Sequence, residues 1–257
     1  MLTHKINTGF FLAVIIFLAV YSFYNPLSLW VFVIPITLWV IITGCGSGFV
    51  QSGYHIKTLN NNEKETGRKI AITFDDGPTP ETIKVLELLH RYNVKATFFC
   101  IGKQIENYTE IFQKVIAEGH IIGNHTFNHL PKMGFFSVAK IITELESTDA
   151  LIKQYALKPL LFRPPYGVTN PNLAKAIKRT GHYVIGWNIR SLDTVTKDER
   201  KIFSRIRTRL APGSIILLHD TSQKTVNVLE QLLILLQEQN YEAVTVNELL
   251  NIPAYEK

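Results

Sequence analysis

The sequence predicts an α/β fold with parallel strands, and three of its features carry that prediction. From Lys69 onward, short apolar, β-branched runs alternate with stretches of helical periodicity. The spacing between runs is long enough for helical crossovers, which parallel strands require. Polar clusters follow five different runs at their carboxyl ends, and parallel α/β folds place their sites on that face. A closed barrel and an open doubly wound sheet both satisfy these features.

Ahead of this domain, no Asp, Glu, Lys or Arg occurs from Ile6 to His55, much longer than a core helix stays uncharged. Two apolar stretches, Gly9 to Phe23 and Leu29 to Val50, flank Tyr24-Asn-Pro-Leu-Ser28 and read as a membrane hairpin over residues 1–50. A long signal-anchor is the first alternative. A lipoprotein signal is the second, because Ile42-Thr-Gly-Cys45 resembles a processing site. Lys5, Lys57, Lys64, Arg68 and Lys69 favour the cytoplasm for the side that holds both hairpin ends. Residues 51–68, rich in Asn, read as a polar linker, and the globular domain is expected over 69–257.

Within that domain the expected strands are Ile70 to Phe74, Ala96 to Ile101, Ile121 to Gly123, Leu160 to Phe162, Tyr183 to Trp187, Ser214 to Leu218 and Glu242 to Val246. Thr79 before Pro80 and Asn170 before Pro171 are helix starts, and Gly119 and Gly181 are helix stops. Ser137 to Tyr155, Asp198 to Leu210 and Lys224 to Gln239 are further helices. The chain has 257 residues, 46% hydrophobic and 19% charged, enough for a sizeable core. Its net charge of +6 is scattered rather than clustered, so nucleic acid is not an expected partner. The two cysteines, Cys45 and Cys100, lie in unlike contexts, and no disulfide is expected between them.

The first polar cluster is Asp75-Asp76-Gly77-Pro78, at the end of the first run. Adjacent carboxylates can place one acid on a metal and leave its neighbour as a base; alone, the same four residues make an ordinary strand-ending turn. The second is His125-Thr-Phe-Asn-His129, whose histidines, four apart, share a face of a helical turn. With one carboxylate they make a ligand set for zinc or another divalent first-row metal. Arg163-Pro-Pro-Tyr166-Gly167 is a stiff loop able to hold an arginine against a carboxylate. Trp187-Asn-Ile-Arg190-Ser-Leu-Asp193-Thr194 and Leu217-Leu-His219-Asp220 complete the series.

In this order and spacing, the motifs resemble those of the polysaccharide deacetylase family, the NodB-type homology domain of carbohydrate esterase family 4, over about Lys69 to Leu250. The resemblance implies a distorted (β/α) barrel of seven or eight units. It implies Asp75 as general base; Asp76, His125 and His129 as ligands of one divalent metal, zinc first with cobalt, nickel or manganese as alternatives; and Arg163 orienting Asp75. It further implies the Tyr166 N–H binding an oxyanion, His219 as general acid tuned by Asp193, and Leu217 lining an acetyl pocket. The family often has Asp at the position of Arg190 and Trp at that of Thr194, so this chain departs at both.

The implied enzyme is a metal-dependent hydrolase that removes acetyl groups from an N-acetylated glycan, peptidoglycan or chitin-like, using activated water, an Asp base and a His acid. An O-acetyl esterase on acetylated xylan and a non-catalytic glycan-binding relative are the alternatives. The expected location is a membrane-anchored chain with an extracytoplasmic catalytic domain, the reverse of the side that the positive charges favour.

Overall fold

The structure, a computed structural model, describes residues 2–256; Met1 and Lys257, the outer ends of the segments expected over 1–50 and 69–257, lie outside it. Two apolar helices come first, α1 (His4–Ser22) and α2 (Trp30–Gly48). Each has 19 residues, about 28 Å at the helical rise, close to the thickness of a bilayer's hydrocarbon. They form a hairpin, tied by the Trp39 Nε1–H donating to Thr8 Oγ1 at 3.1 Å. Their outward faces are exposed and apolar, with Phe10, Phe17 and Ile34 among them, so both helices are long and apolar enough to cross a membrane.

Eight strands follow: β1 (Lys69–Asp75), β2 (Thr97–Cys100), β3 (Ile121–Asn124), β4 (Leu161–Phe162), β5 (Tyr183–Val184), β6 (Ile189–Arg190), β7 (Ile215–His219) and β8 (Glu242–Val244). Their order is β5-β4-β3-β2-β1-β7-β6, with β8 paired to β1 beside the start of β2. Every ladder is parallel. The helices are α3 (Pro80–Arg91), α4 (Gly102–Asn107), α5 (Thr109–Ala117), α6 (Val138–Lys153), α7 (Pro171–Thr180), α8 (Glu199–Arg207), α9 (Gln223–Glu238) and α10 (Val246–Leu250). The curled sheet is the expected distorted barrel.

Strand parity decides what the barrel encloses. Ile70, Ile72 and Phe74 of β1 pack outward into a core shared with the helices, as do Ile216 and Leu218 of β7. Ala71 of β1 and Ile215 and Leu217 of β7 face a second cluster with Phe99, Ile185 and Trp187. Successive side chains point to opposite faces, so Asp75 and His219 project from the inner row.

The helix starts fall where expected. The Thr79 side chain accepts from the backbone of α3, the Asn170 side chain does so for α7, and each helix opens with proline. Gly119 and Gly181 take positive φ just past α5 and α7.

Two expectations need correction. The run expected from Tyr183 to Trp187 leaves its ladder after Val184, and a separate strand forms at Ile189–Arg190, giving eight strands rather than seven. The reason is the buried Arg163, which donates to the carbonyls of Ile185 at 3.3 Å and Gly186 at 2.8 Å. The second concerns His125 to His129, which is an irregular loop and not a helical turn: Thr126 and His129 both adopt positive φ.

The polar segment before the domain is packed down rather than free. Leu59 pairs with Ile185 and Asn61 with Ser214, so the segment crosses the gap between β5 and β7. Val50 is 3% exposed, and the Gln51 side chain donates to the Trp187 carbonyl at 2.7 Å. Cys45 lies within α2 and Cys100 is buried in β2; both are free thiols.

Candidate active site

Asp76 follows β1 with φ 74°, a left-handed turn that swings its carboxylate away from the strand's alternation. Its Oδ1 lies 3.4 Å from His125 Nε2 and 3.4 Å from His129 Nε2. The three ligand atoms are all within 4.8 Å of one another. His125 is aimed by its own backbone neighbourhood: Nδ1–H donates to the Arg163 carbonyl at 2.8 Å, which leaves Nε2 as the free lone pair. His129 is held by the loop, in which Thr126 N–H donates to Asn124 Oδ1 and His129 N–H to Thr126 Oγ1. Glu144 of α6 fixes the loop's far side, accepting from the Asn128 backbone and side chain at 2.9 Å each.

Asp76 Oδ1 is buried with no hydrogen-bond donor. A buried carboxylate oxygen facing two imidazole nitrogens lacks a cation to satisfy it, and two nitrogens with one oxygen suit a divalent first-row ion. The residues fit such a group. Burial pushes the Asp76 carboxyl up, but the adjacent His125, with the charges of His129 and His219, outweighs it and holds it well below the usual range. Burial and the neighbouring His125 push His129 down to about 4, leaving a neutral imidazole.

Asp75 sits 3% exposed at the top of the inner row of β1. Its Oδ1 accepts from Arg163 Nη1 at 2.8 Å. Arg163 is wholly buried, also donates to Thr73 Oγ1 at 2.7 Å, and lies over the Phe99 ring at 4.1 Å. The guanidinium fills the barrel's interior and turns one fixed edge to Asp75.

On β7, His219 stands at the register position beside Asp75. Its Nδ1–H donates to Asp193 Oδ1 at 2.8 Å, and its backbone N–H donates to Asp193 Oδ2 at 2.8 Å. Ser191 and Thr225 each donate a hydroxyl to Asp193, at 2.8 and 2.9 Å. Burial pushes His219 down, but the hydrogen bond and charge of Asp193 overcome it and raise its pKa to about 9. Burial likewise acts to raise Asp193, yet its bond to His219 leaves it lowered. Asp220, next in sequence, points back to Thr82 of α3 and is pushed up to about 7 by burial.

Asp75, Asp76, His125, His129, Tyr166, Leu217 and His219 line one cleft of about 200 Å³, with Trp187, Arg190 and Thr194 at its wall. Arg163 and Asp193 lie behind it. Tyr166 adopts φ 59° and its ring centroid is 4.8 Å from that of His129. Larger cavities of about 480 and 520 Å³ occur where the domain meets the hairpin, but neither is lined by a carboxylate, so chemistry rather than size marks the site.

All nine residues singled out in the sequence therefore fall in or directly behind this cleft. Thr73, Ser191, Thr225 and Glu144 support it and were not singled out. Hydroxyls at a strand interior, a loop and a helix start carry no motif, and only the fold shows what they touch.

A family model described as polysaccharide deacetylase matches residues 62–185. A peptidoglycan-N-acetylglucosamine deacetylase of Bacillus cereus is 37% identical over 205 residues, 77% of this chain and 94% of that protein. A peptidoglycan-N-acetylmuramic acid deacetylase of Bacillus subtilis is 31% identical over 195 residues, 75% of this chain but only 40% of that protein. A crystal structure of a peptidoglycan N-acetylglucosamine deacetylase has a TM-score of 0.72 at 28% identity, covering 77% of this chain and 94% of the other. The likeness runs almost end to end through the Bacillus cereus protein and through the solved barrel, and the chain belongs to the polysaccharide deacetylase family.

Proposed function

We propose that this chain is a membrane-anchored, metal-dependent N-deacetylase acting on peptidoglycan, with its catalytic domain over residues 69–257. The observation that carries the reading is the convergence in one cleft of three different fates for acidic and basic groups. Asp76 faces two imidazoles, Asp75 is clamped by a buried Arg163, and His219 is paired with a buried Asp193. Pairs of titratable groups driven apart by their surroundings are the signature of divided acid and base roles.

A zinc or similar divalent ion held by Asp76, His125 and His129 would supply Lewis-acid polarisation of the acetyl carbonyl and a lowered pKa for water. Asp75 takes the proton from the attacking water, and Arg163 keeps that carboxylate oriented. His219, protonated to about pH 9, delivers a proton to the departing amine, which leaves poorly unless protonated. The Tyr166 N–H is the donor for the acyl oxygen's developing charge. Leu217, 2% exposed at the cleft floor, meets the acetyl methyl. The products are acetate and a free amino sugar.

The cleft wall narrows the substrate. Arg190 lies 5.8 Å over the Trp187 ring and forms no ion pair among the described residues. Its unpaired cation favours a glycan that carries carboxylates, as the peptide stems of peptidoglycan do, over neutral chitin oligomers. The named activities of the Bacillus relatives support the same choice. The test is acetate release by the metal-loaded full chain in detergent, from peptidoglycan, N-acetylglucosamine oligomers and acetylated xylan, with Asp75→Asn as control. Release from peptidoglycan that vanishes in the control supports the reading; release from xylan alone, or from nothing, overturns it.

A further inference from the structure

The hairpin is not a free tether. The Tyr54 carbonyl accepts from His4 N–H at 2.8 Å, its hydroxyl accepts from Asn7 at 2.6 Å, and its ring occupies the space over Gly46. Tyr54 is 3% exposed. The start of α1 and the end of α2 are thereby locked against the domain. Ser47 adds a carbonyl that accepts from Thr169 N–H at 2.9 Å.

At this junction lies a cavity of about 520 Å³ whose wall includes Lys5 of α1, Lys57 after the hairpin, and Lys175 and Lys178 of α7. No Asp or Glu lines it. All four lysines are exposed, and among the described residues none forms an ion pair. Lys175 and Lys178 are three apart on a helix, on one face. His4 and His55 complete the wall, with ring centroids 4.8 Å apart. The Nδ1 atoms of both are buried without a hydrogen-bond partner, whereas His55 Nε2 is taken by Ser47 at 2.8 Å. Four like charges around one concavity repel unless an anion sits among them, and the orphaned imidazole nitrogens are polar groups that still want a partner.

Position selects the anion. The cavity lies at the domain end of two helices of bilayer length, where lipid phosphates are found, and juxtamembrane lysines recognise anionic headgroups. We propose that this cavity binds the phosphate of an anionic phospholipid headgroup and so seats the catalytic domain on the membrane surface. The proposal rests on the membrane-anchored reading above. It also gives Lys5 and Lys57 a binding role on whichever side of the membrane the domain lies.

The test is thermal unfolding of the full chain in neutral detergent, titrated with phosphatidylglycerol, phosphatidylcholine or inorganic phosphate. The wild type is compared with a Lys57→Gln, Lys175→Gln, Lys178→Gln variant and with a charge-matched Lys103→Gln, Lys197→Gln, Lys201→Gln control. Phosphatidylglycerol raises the melting temperature of the wild type and the control, and the pocket variant needs roughly tenfold more lipid or does not respond. Equal responses in all three proteins overturn the inference, as does an equal response to phosphatidylcholine. Inorganic phosphate that reproduces the whole shift at matched concentration assigns the cavity to a free anion and overturns the lipid. A full chain that stays monomeric without detergent overturns the membrane reading itself, an outcome distinct from the others.

Discussion

Asp75 and His219 are register partners on adjacent parallel strands, β1 and β7, and both face the inside of the barrel. Each is backed by a buried ion of opposite charge, Arg163 for Asp75 and Asp193 for His219. The sheet thus sets the spacing of the carboxylate and the imidazole, and each has a buried partner of opposite charge held beside it.

If Asp75 is the base and not a ligand, Asp75→Asn keeps the metal and loses about 10²–10⁴ in kcat. His125→Ala loses both. Metal stoichiometry by elemental analysis, measured beside acetate release, separates the two; an Asp75→Asn protein with wild-type rates removes the base assignment.

Arg163 is the largest wholly buried side chain and touches Asp75, Thr73 and two backbone carbonyls. Arg163→Met strands the Asp75 charge and should cost about 3–5 kcal/mol. In a domain of this size that lowers the melting temperature on the order of 10 °C. A melting temperature within a degree or two of wild type would contradict a buried clamp.

Asp193→Asn removes the group that raises His219 from 6.5 to about 9. Burial is then opposed only by the charges of Asp75 and Asp76, so the imidazole falls and the basic limb of the kcat/KM profile moves down from near pH 9. Stability follows the same sign. A folded pKa above the unfolded one stabilises fully below about pH 6.5, and that contribution fades as pH rises through 9. The pH-dependent part of the melting curve between those values flattens in the variant; an unmoved activity limb would free His219 of the acid role.

Charge at Arg190 is expected to govern preference rather than chemistry. Arg190→Asp raises KM for peptidoglycan fragments that bear free carboxylates by roughly tenfold, about 1.4 kcal/mol, and leaves kcat on N-acetylglucosamine oligomers within twofold. Parallel losses on both substrates would place Arg190 in the catalytic machinery instead.

The domain is expected to fold without its hairpin, but the place of the cut matters. Val50 is buried with its Cγ1 close above Gly167 and Gly186, and Gln51 caps the Trp187 carbonyl. A chain beginning at Ser52 should lose about 2 kcal/mol of apolar burial against one beginning at Gly44. Differential scanning calorimetry reads this as a lower melting temperature; identical values would mean that Val50 contributes nothing.

Most of the active site could be read in the linear sequence because each motif sits at the end of a β-branched run, and strand ends in a parallel sheet converge whatever the intervening helices are. Asp75, His125, Arg163 and His219 are brought together by that rule alone. The sequence also determined the two apolar helices, since an uncharged stretch from Ile6 to His55 leaves no other regular structure at that length. What it did not determine depended on non-local contacts. The pairing of Thr225 with Asp193, the second strand at Ile189–Arg190, the loop at His125 to His129 and the lysine cavity at the hairpin all depend on residues distant in the chain. Alternation and spacing report which face a side chain takes; which partner meets it there is decided only when the sheet curls and the hairpin docks.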